Sequence, residues 1–164
     1  MTTANVAHLP VGTSGKSSPT VARRLRTGDV MRTPTDVVAP DTPVSAAATL
    51  LAATGCSGVP VVGAEGGVVG LVTEADLVRH QLRSPFSPAA GPAAVVGDVM
   101  TSEPLLAPSR YDLGALVGLM HAAGTSVVPI VDGRRLVGMV DMRDLVRIAG
   151  AVETRIPVSR QASG

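Results

Sequence analysis

The chain has 164 residues, a formal net charge of +1, and a composition that is 45% hydrophobic and 16% charged. These values indicate a globular protein of one domain or two small halves and exclude a disordered chain. The charge balance and the near absence of aromatic residues argue against nucleic acid as a partner, no apolar run is long enough for a membrane span, and the single cysteine fits a reducing, cytoplasmic compartment.

The N-terminal segment, residues 1–26, is rich in Thr, Ser, Ala and Gly and has no sustained hydrophobic period. This composition predicts a flexible arm with room for a short basic helix over 21–26. At the other end, residues 151–164 predict a polar tail.

From Gly28 onward the sequence repeats itself, which is typical of a duplicated structural unit. Two blocks return 69 residues later: Gly-Asp-Val-Met at 28–31 and 97–100, and an apolar Val-Pro block at 58–62 and 127–131. A third block, 70–76, returns at 138–144 with an offset of 68. The missing residue falls in a predicted turn, where a duplication tolerates a deletion.

Each unit predicts the order β-α-β-β-α, and the fold class is therefore α/β (α+β). In the first unit the strands are predicted at 36–38, 59–62 and 68–72, with helices from Thr42-Pro43 to Gly55 and over 74–82. Thr42 is expected as the N-cap of the first of these helices and Pro43 as its first helical residue, and Gly55 is expected to end it. In the second unit the strands are predicted at 105–107, 127–130 and 136–140, with helices at 112–123, stopped by Gly124, and at 142–149.

The predicted division of the chain is a first repeat at 27–84, a linker at 85–95 and a second repeat at 96–150. One repeat buries too little surface to be stable alone. The two repeats should therefore pack on each other about a pseudo-twofold axis and enclose two related clefts.

The block at 70–76 is a strand that runs into a helix whose first turn carries Thr73 and Asp76. A helix N-terminus attracts anions, so Thr73 could donate to a phosphate oxygen while Asp76 accepts hydrogen bonds from two vicinal hydroxyls, as on a ribose. The alternative is a capping box, in which the same two side chains only stabilise the helix start.

The ordered blocks, Asp-Val-Met, Val-Pro-(Val/Ile)-Val and Gly-h-h-(Thr)-x-x-Asp-Leu, found twice, resemble a tandem pair of cystathionine-β-synthase (CBS) domains, the Bateman module. The resemblance covers roughly residues 28–150. It implies a regulatory module that binds adenosine-containing ligands such as AMP, ADP, ATP or S-adenosylmethionine in the clefts. It also implies a homodimer shaped as a flat disc.

The resemblance implies particular residues for the first site. Thr73 is expected at the phosphate, Asp76 at the ribose and Leu71 against the base. The opposite wall is expected to come from the partner repeat, through Leu105, Thr125, Ser126 and Val127.

The second site departs from the pattern, because Asp141 stands where Thr or Ser is expected, although Asp144 is kept. Its other wall would include Asp36, Ser57 and Gly58. A carboxylate about 4 Å from a phosphate costs on the order of 4 kcal/mol at an effective dielectric constant of ~20. We therefore expect one competent site per chain, unless a Mg²⁺ ion bridges Asp141 to the phosphate.

Neither a catalytic nor a metal-ligand pattern emerges from the sequence. The expected function is a stand-alone, non-enzymatic sensor with no required cofactor. It would bind an adenine nucleotide, with Mg²⁺ when the ligand is ATP, and signal to a partner protein. The alternatives are a ligand-free dimerisation scaffold and a sensor of S-adenosylmethionine or an NAD-type ligand.

Overall fold

The computed structural model describes residues 24–33, 36–83 and 94–153, the last three by their backbone alone. Most of the predicted linker, arm and tail lies outside these residues; of the linker, only 94 and 95 are described. Of the predicted basic helix, only 24–26 is described, and it is not helical.

The described residues form a mixed α+β structure of two repeats, as predicted. The first repeat contains α1 (Thr27–Val30), α2 (Val44–Thr54), β1 (Gly58–Val62), β2 (Val68–Thr73) and α3 (Glu74–Arg83). The second contains α4 (Val96–Val99), β3 (Thr101–Ser102), α5 (Leu113–Ala123), β4 (Val127–Asp132), β5 (Arg135–Asp141) and α6 (Met142–Glu153). Strands β1 and β2 form one antiparallel hairpin and β4 and β5 the other. The predicted tail begins too early, because α6 continues to Glu153.

Local sequence signals set the ends of the long helices. Gly55 and Gly124 follow α2 and α5 with φ angles of 62° and 64°, a left-handed conformation that glycine adopts without steric cost. Asp112 caps α5 by accepting a backbone hydrogen bond of 2.9 Å. The prediction that Thr42 caps α2 is wrong, because Pro43 is the N-cap and the Thr42 hydroxyl accepts the N–H of Ala39 in the preceding turn.

The first strand of each predicted unit is reduced to one bridging residue. Val38 pairs in parallel with Val61, and Ala107 pairs in parallel with Ile130. A turn begins two residues after each bridge, at positions 40 and 109, so neither strand can extend.

The opening segments of the two repeats are exchanged. Val30 and Met31, at the end of α1, pack on the core of the second repeat, whereas Val96, Val99 and Met100, in and after α4, pack on the core of the first. Backbone hydrogen bonds fix both exchanges, from Gly28 to Ser109 (2.7 Å) and from Gly97 to Pro40 (2.8 Å). Each repeat is therefore completed by the other.

The methionine side chain of each exchanged segment packs against a glycine of the opposite repeat. A Cβ atom at Gly70 would lie 3.0 Å from Cγ of Met100, and one at Gly138 would lie 2.8 Å from Cγ of Met31. The repeated Asp-Val-Met and Gly-h-h blocks are thus complementary surfaces of opposite repeats.

A third buried cluster joins the two hairpins. It consists of Leu71, Val127 and Met139, and these side chains form the seam between the repeats, with a cleft on either side. Among the described helices, none combines the length and the apolar character that a membrane span requires.

Candidate functional site

The first cleft lies between the repeats and has a volume of about 620 Å³. This volume is within the range of small-molecule sites, about 300–1,000 Å³. Six of the seven residues predicted for this site line the cleft: Leu71, Thr73, Asp76, Leu105, Thr125 and Ser126. The seventh, Val127, is buried in the seam and lines the second cleft instead.

Thr73 and Asp76 form a reciprocal capping box at the start of α3. The Thr73 N–H and hydroxyl donate to Oδ2 of Asp76 at 2.9 and 2.7 Å, and the Asp76 N–H donates to the Thr73 hydroxyl at 3.2 Å. Arg79 donates to Oδ1 at 2.9 Å. A carboxylate offers about four acceptor positions, so these three bonds to the carboxylate leave room for a ligand hydroxyl. Asp76 can therefore cap the helix and still accept a ligand hydroxyl, whereas the Thr73 hydroxyl already donates its one proton to Asp76 and would have to release it to donate to a phosphate.

Two arginines that the sequence reasoning did not assign also line the first cleft. Arg79 lies one turn along α3 from Asp76. Arg143 lies in the first turn of α6, and it reaches across to the first repeat, where it donates to the carbonyl of Gly55 and to Glu74, both at 3.0 Å. The sequence signal for Arg143 is a difference between the repeats, since Ala75 occupies the equivalent position in the first.

The exchanged opening segment of the second repeat supplies part of the cleft wall. Thr101, Glu103, Pro104 and Leu105 all line the cleft. Thr101 pairs with Leu71 at the edge of β2, which fixes the position of this wall. Glu103 has a φ of 52°, a conformation that costs a non-glycine residue roughly 1–3 kcal/mol and that tends to occur at functional sites.

The second cleft is smaller, about 270 Å³. Of the residues predicted for it, Asp36, Gly58 and Asp141 line it. Ser57 lines the first cleft but donates its N–H to Oδ2 of Asp141 at 2.9 Å. Asp144 is buried and does not line the cleft itself, but it contacts an arginine side chain that does.

That arginine is Arg32, whose backbone is paired with Met139 of β5. Its Nε atom lies 2.6 Å from Oδ2 of Asp144, and a terminal nitrogen lies 4.0 Å from Oδ2 of Asp141. The contact with Asp144 is an ion pair without hydrogen-bond alignment, because this oxygen accepts no hydrogen bond. The same terminal nitrogen donates to the Cys56 sulfur at 3.5 Å.

Arg32 changes the physical reason for the difference between the clefts. The expected repulsion of phosphate requires an uncompensated carboxylate at position 141, whereas Asp141 is compensated by Arg32 and by the N–H groups of Ser57 and Arg143. The Arg32 side chain instead lines the second cleft, where it narrows the space beside Asp141 and Asp144. The equivalent residue at the first cleft is Thr101, which is much smaller and leaves that cleft open.

Comparisons with known proteins agree with this architecture. The family model of the CBS domain matches residues 28–83 and 96–150. Inosine-5'-monophosphate dehydrogenase of Mycobacterium tuberculosis is 32% identical over 110 residues, which cover 66% of this chain but 19% of that enzyme.

Two solved structures show the same arrangement. CBSX2, solved in complex with AMP, is 30% identical, with a TM-score of 0.64, and the match covers 78% of this chain and 98% of CBSX2. The CBS domain pair of protein MJ0100, solved with 5'-methylthioadenosine and S-adenosylmethionine, is 23% identical with a TM-score of 0.68, covering 78% and 98% of the two chains. At this identity the second likeness concerns the fold.

Proposed function

This chain belongs to the CBS domain family, and we propose that it is a regulatory module that binds an adenine nucleotide in the first cleft. The ligand class is AMP, ADP or ATP, with Mg²⁺ accompanying ATP. The module has no catalytic role. It acts as a homodimer, and binding of the nucleotide is sensed by a partner protein.

The observation that carries this proposal is the position of the Thr73–Asp76 pair in the first cleft. Asp76 keeps an acceptor position for a ribose hydroxyl, and Thr73 stands at the N-terminus of α3, where the helix dipole favours a phosphate. Arg79 and Arg143 line the same wall and place two guanidinium groups within the cleft, where their present partners are Asp76 and Glu74. Leu71 and Leu105 provide the apolar surface that a base needs. The AMP complex of CBSX2 supports the choice of ligand.

The second cleft takes no nucleotide in this proposal, because the Arg32 side chain lines it and is ion-paired with Asp141 and Asp144. Its volume also falls below the usual range of small-molecule sites. The expected stoichiometry is therefore one nucleotide per chain.

Isothermal titration calorimetry with AMP, ADP, ATP and S-adenosylmethionine tests the proposal. Asp76→Ala should weaken binding at least tenfold, since a hydrogen bond to a charged group contributes about 1.5–3 kcal/mol. Asp144→Ala is the matched control, because it makes the same change at the equivalent position of the second cleft. Binding that survives Asp76→Ala, or that is lost equally in the control, would refute the assignment.

A ligand-free dimerisation scaffold is the second candidate function. The completed capping box favours it, because Thr73 and Asp76 are hydrogen-bonded without any ligand. This candidate predicts no thermal shift with any adenine ligand, including S-adenosylmethionine and NAD. A dye-based thermal-shift panel separates the two candidates, since the chain has no tryptophan to report unfolding.

A further inference from the structure

We propose that Arg143 determines specificity for a phosphorylated ligand in the first cleft and that Glu74 competes with the phosphate for its guanidinium group. This inference rests on the proposed function and assigns roles to two residues of that same site. The chemical class of ligand is an adenosine that carries a phosphate monoester or polyphosphate.

The location of the Arg143 side chain is the first argument. One terminal nitrogen is held by the Gly55 carbonyl, at the C-terminus of α2, and the other is held by Glu74, each at 3.0 Å. Glu74 directly follows Thr73, whose hydroxyl stands where the phosphate is expected. A phosphate at Thr73 would therefore meet the guanidinium beside its present carboxylate partner.

The exposure of this ion pair is the second argument. The side chains of Arg143 and Glu74 are each 52% exposed, so water screens their attraction. Separating this ion pair therefore costs little free energy. Arg79 is bound differently, because its partner Asp76 has a side chain only 5% exposed. Withdrawing Arg79 would leave a buried carboxylate without its cation, which is costly. Arg143 is thus the cation that is free to change partners.

A change of partner by Arg143 would affect the contacts between the two repeats. Arg143 belongs to the second repeat, and both of its observed contacts belong to the first. A phosphate would replace an ion pair across the cleft with a shared ligand, so that the charge of the ligand affects contacts between the repeats. An uncharged adenosine would leave the pair intact.

Calorimetric titration with adenosine and with AMP tests this inference on the wild-type protein, Arg143→Gln and Glu74→Gln. Arg143→Gln should weaken AMP binding roughly tenfold or more and change adenosine binding by less than about twofold. Glu74→Gln should strengthen AMP binding several-fold and leave adenosine binding unchanged. Adenosine binding also shows that each variant is folded.

The matched control is a second ion pair between the repeats, Arg134–Glu65, at 2.7 Å and away from both clefts. Arg134→Gln and Glu65→Gln should alter neither affinity. Equal losses for adenosine and AMP in Arg143→Gln, or unchanged AMP affinity in both cleft variants, would overturn the inference while leaving the proposed function standing. A wild-type protein that binds neither ligand would overturn both.

Discussion

The substitution Gly70→Ala tests the exchange of opening segments between the repeats. The new Cβ atom would overlap Sδ of Met100 and lie 3.0 Å from its Cγ, closer than nonbonded atoms pack in a protein interior. Overpacking of this kind costs about 1–3 kcal/mol. For a chain of this length the melting temperature should fall by about 2–4 °C per kcal/mol.

A double-mutant cycle tests whether Met100 causes this loss of stability. Met100→Ala removes the atoms that collide with the new Cβ, so Gly70→Ala should cost little in a Met100→Ala background. The expected coupling energy is about 1 kcal/mol or more. Met31→Ala is the matched control, because Met31 packs on Gly138 of the other repeat. The losses of unfolding free energy caused by Met31→Ala and Gly70→Ala should therefore be additive.

Urea denaturation followed by circular dichroism is the suitable assay, since the chain contains no tryptophan. Two results would refute the reasoning. One is additivity between Gly70→Ala and Met100→Ala. The other is rescue of Gly70→Ala by Met31→Ala, which would place each opening segment on its own repeat.

Three further predictions concern individual polar contacts and use the same unfolding assay. Arg32→Thr should destabilise the protein by about 1–3 kcal/mol, because two buried carboxylates lose a half-exposed cation, whereas Arg134→Ala should change stability by less than about 0.5 kcal/mol. Asp112→Ala should cost about 0.5–2 kcal/mol through loss of the α5 cap. Hydrogen bonds from the Ser109 hydroxyl and N–H lower the pKa of Asp132 below its usual 3.8, so its stabilising contribution is present near neutral pH and is lost as pH falls through the lowered pKa. Ser109→Ala should therefore make the acid-induced loss of stability shallower, and an unchanged pH profile would contradict this.

Residues close in sequence were enough to predict much of the local structure. Hydrophobic periodicity located both hairpins and all four long helices, and glycine marked the ends of α2 and α5 because only local backbone sterics decide those positions. The spacing of Thr73 and Asp76 likewise predicted that both side chains meet at one helix start. The error at Thr42 has the same local origin, because its hydroxyl accepts the N–H of Ala39 in the preceding turn and does not cap the helix.

Contacts between distant residues required the tertiary structure. The repeat pattern shows that Met100 and Gly70 belong to recurring blocks, but it does not show that each methionine packs on the opposite repeat. The same holds for Arg32, which lines the second cleft beside two buried carboxylates, and for Arg143, which reaches across to the first repeat. An arginine side chain is long and flexible, so its partner depends on which backbones pack beside it. The sequence by itself determined the two units and the polar pair of one cleft; the packing of the units decided which cleft is open and which charges surround it.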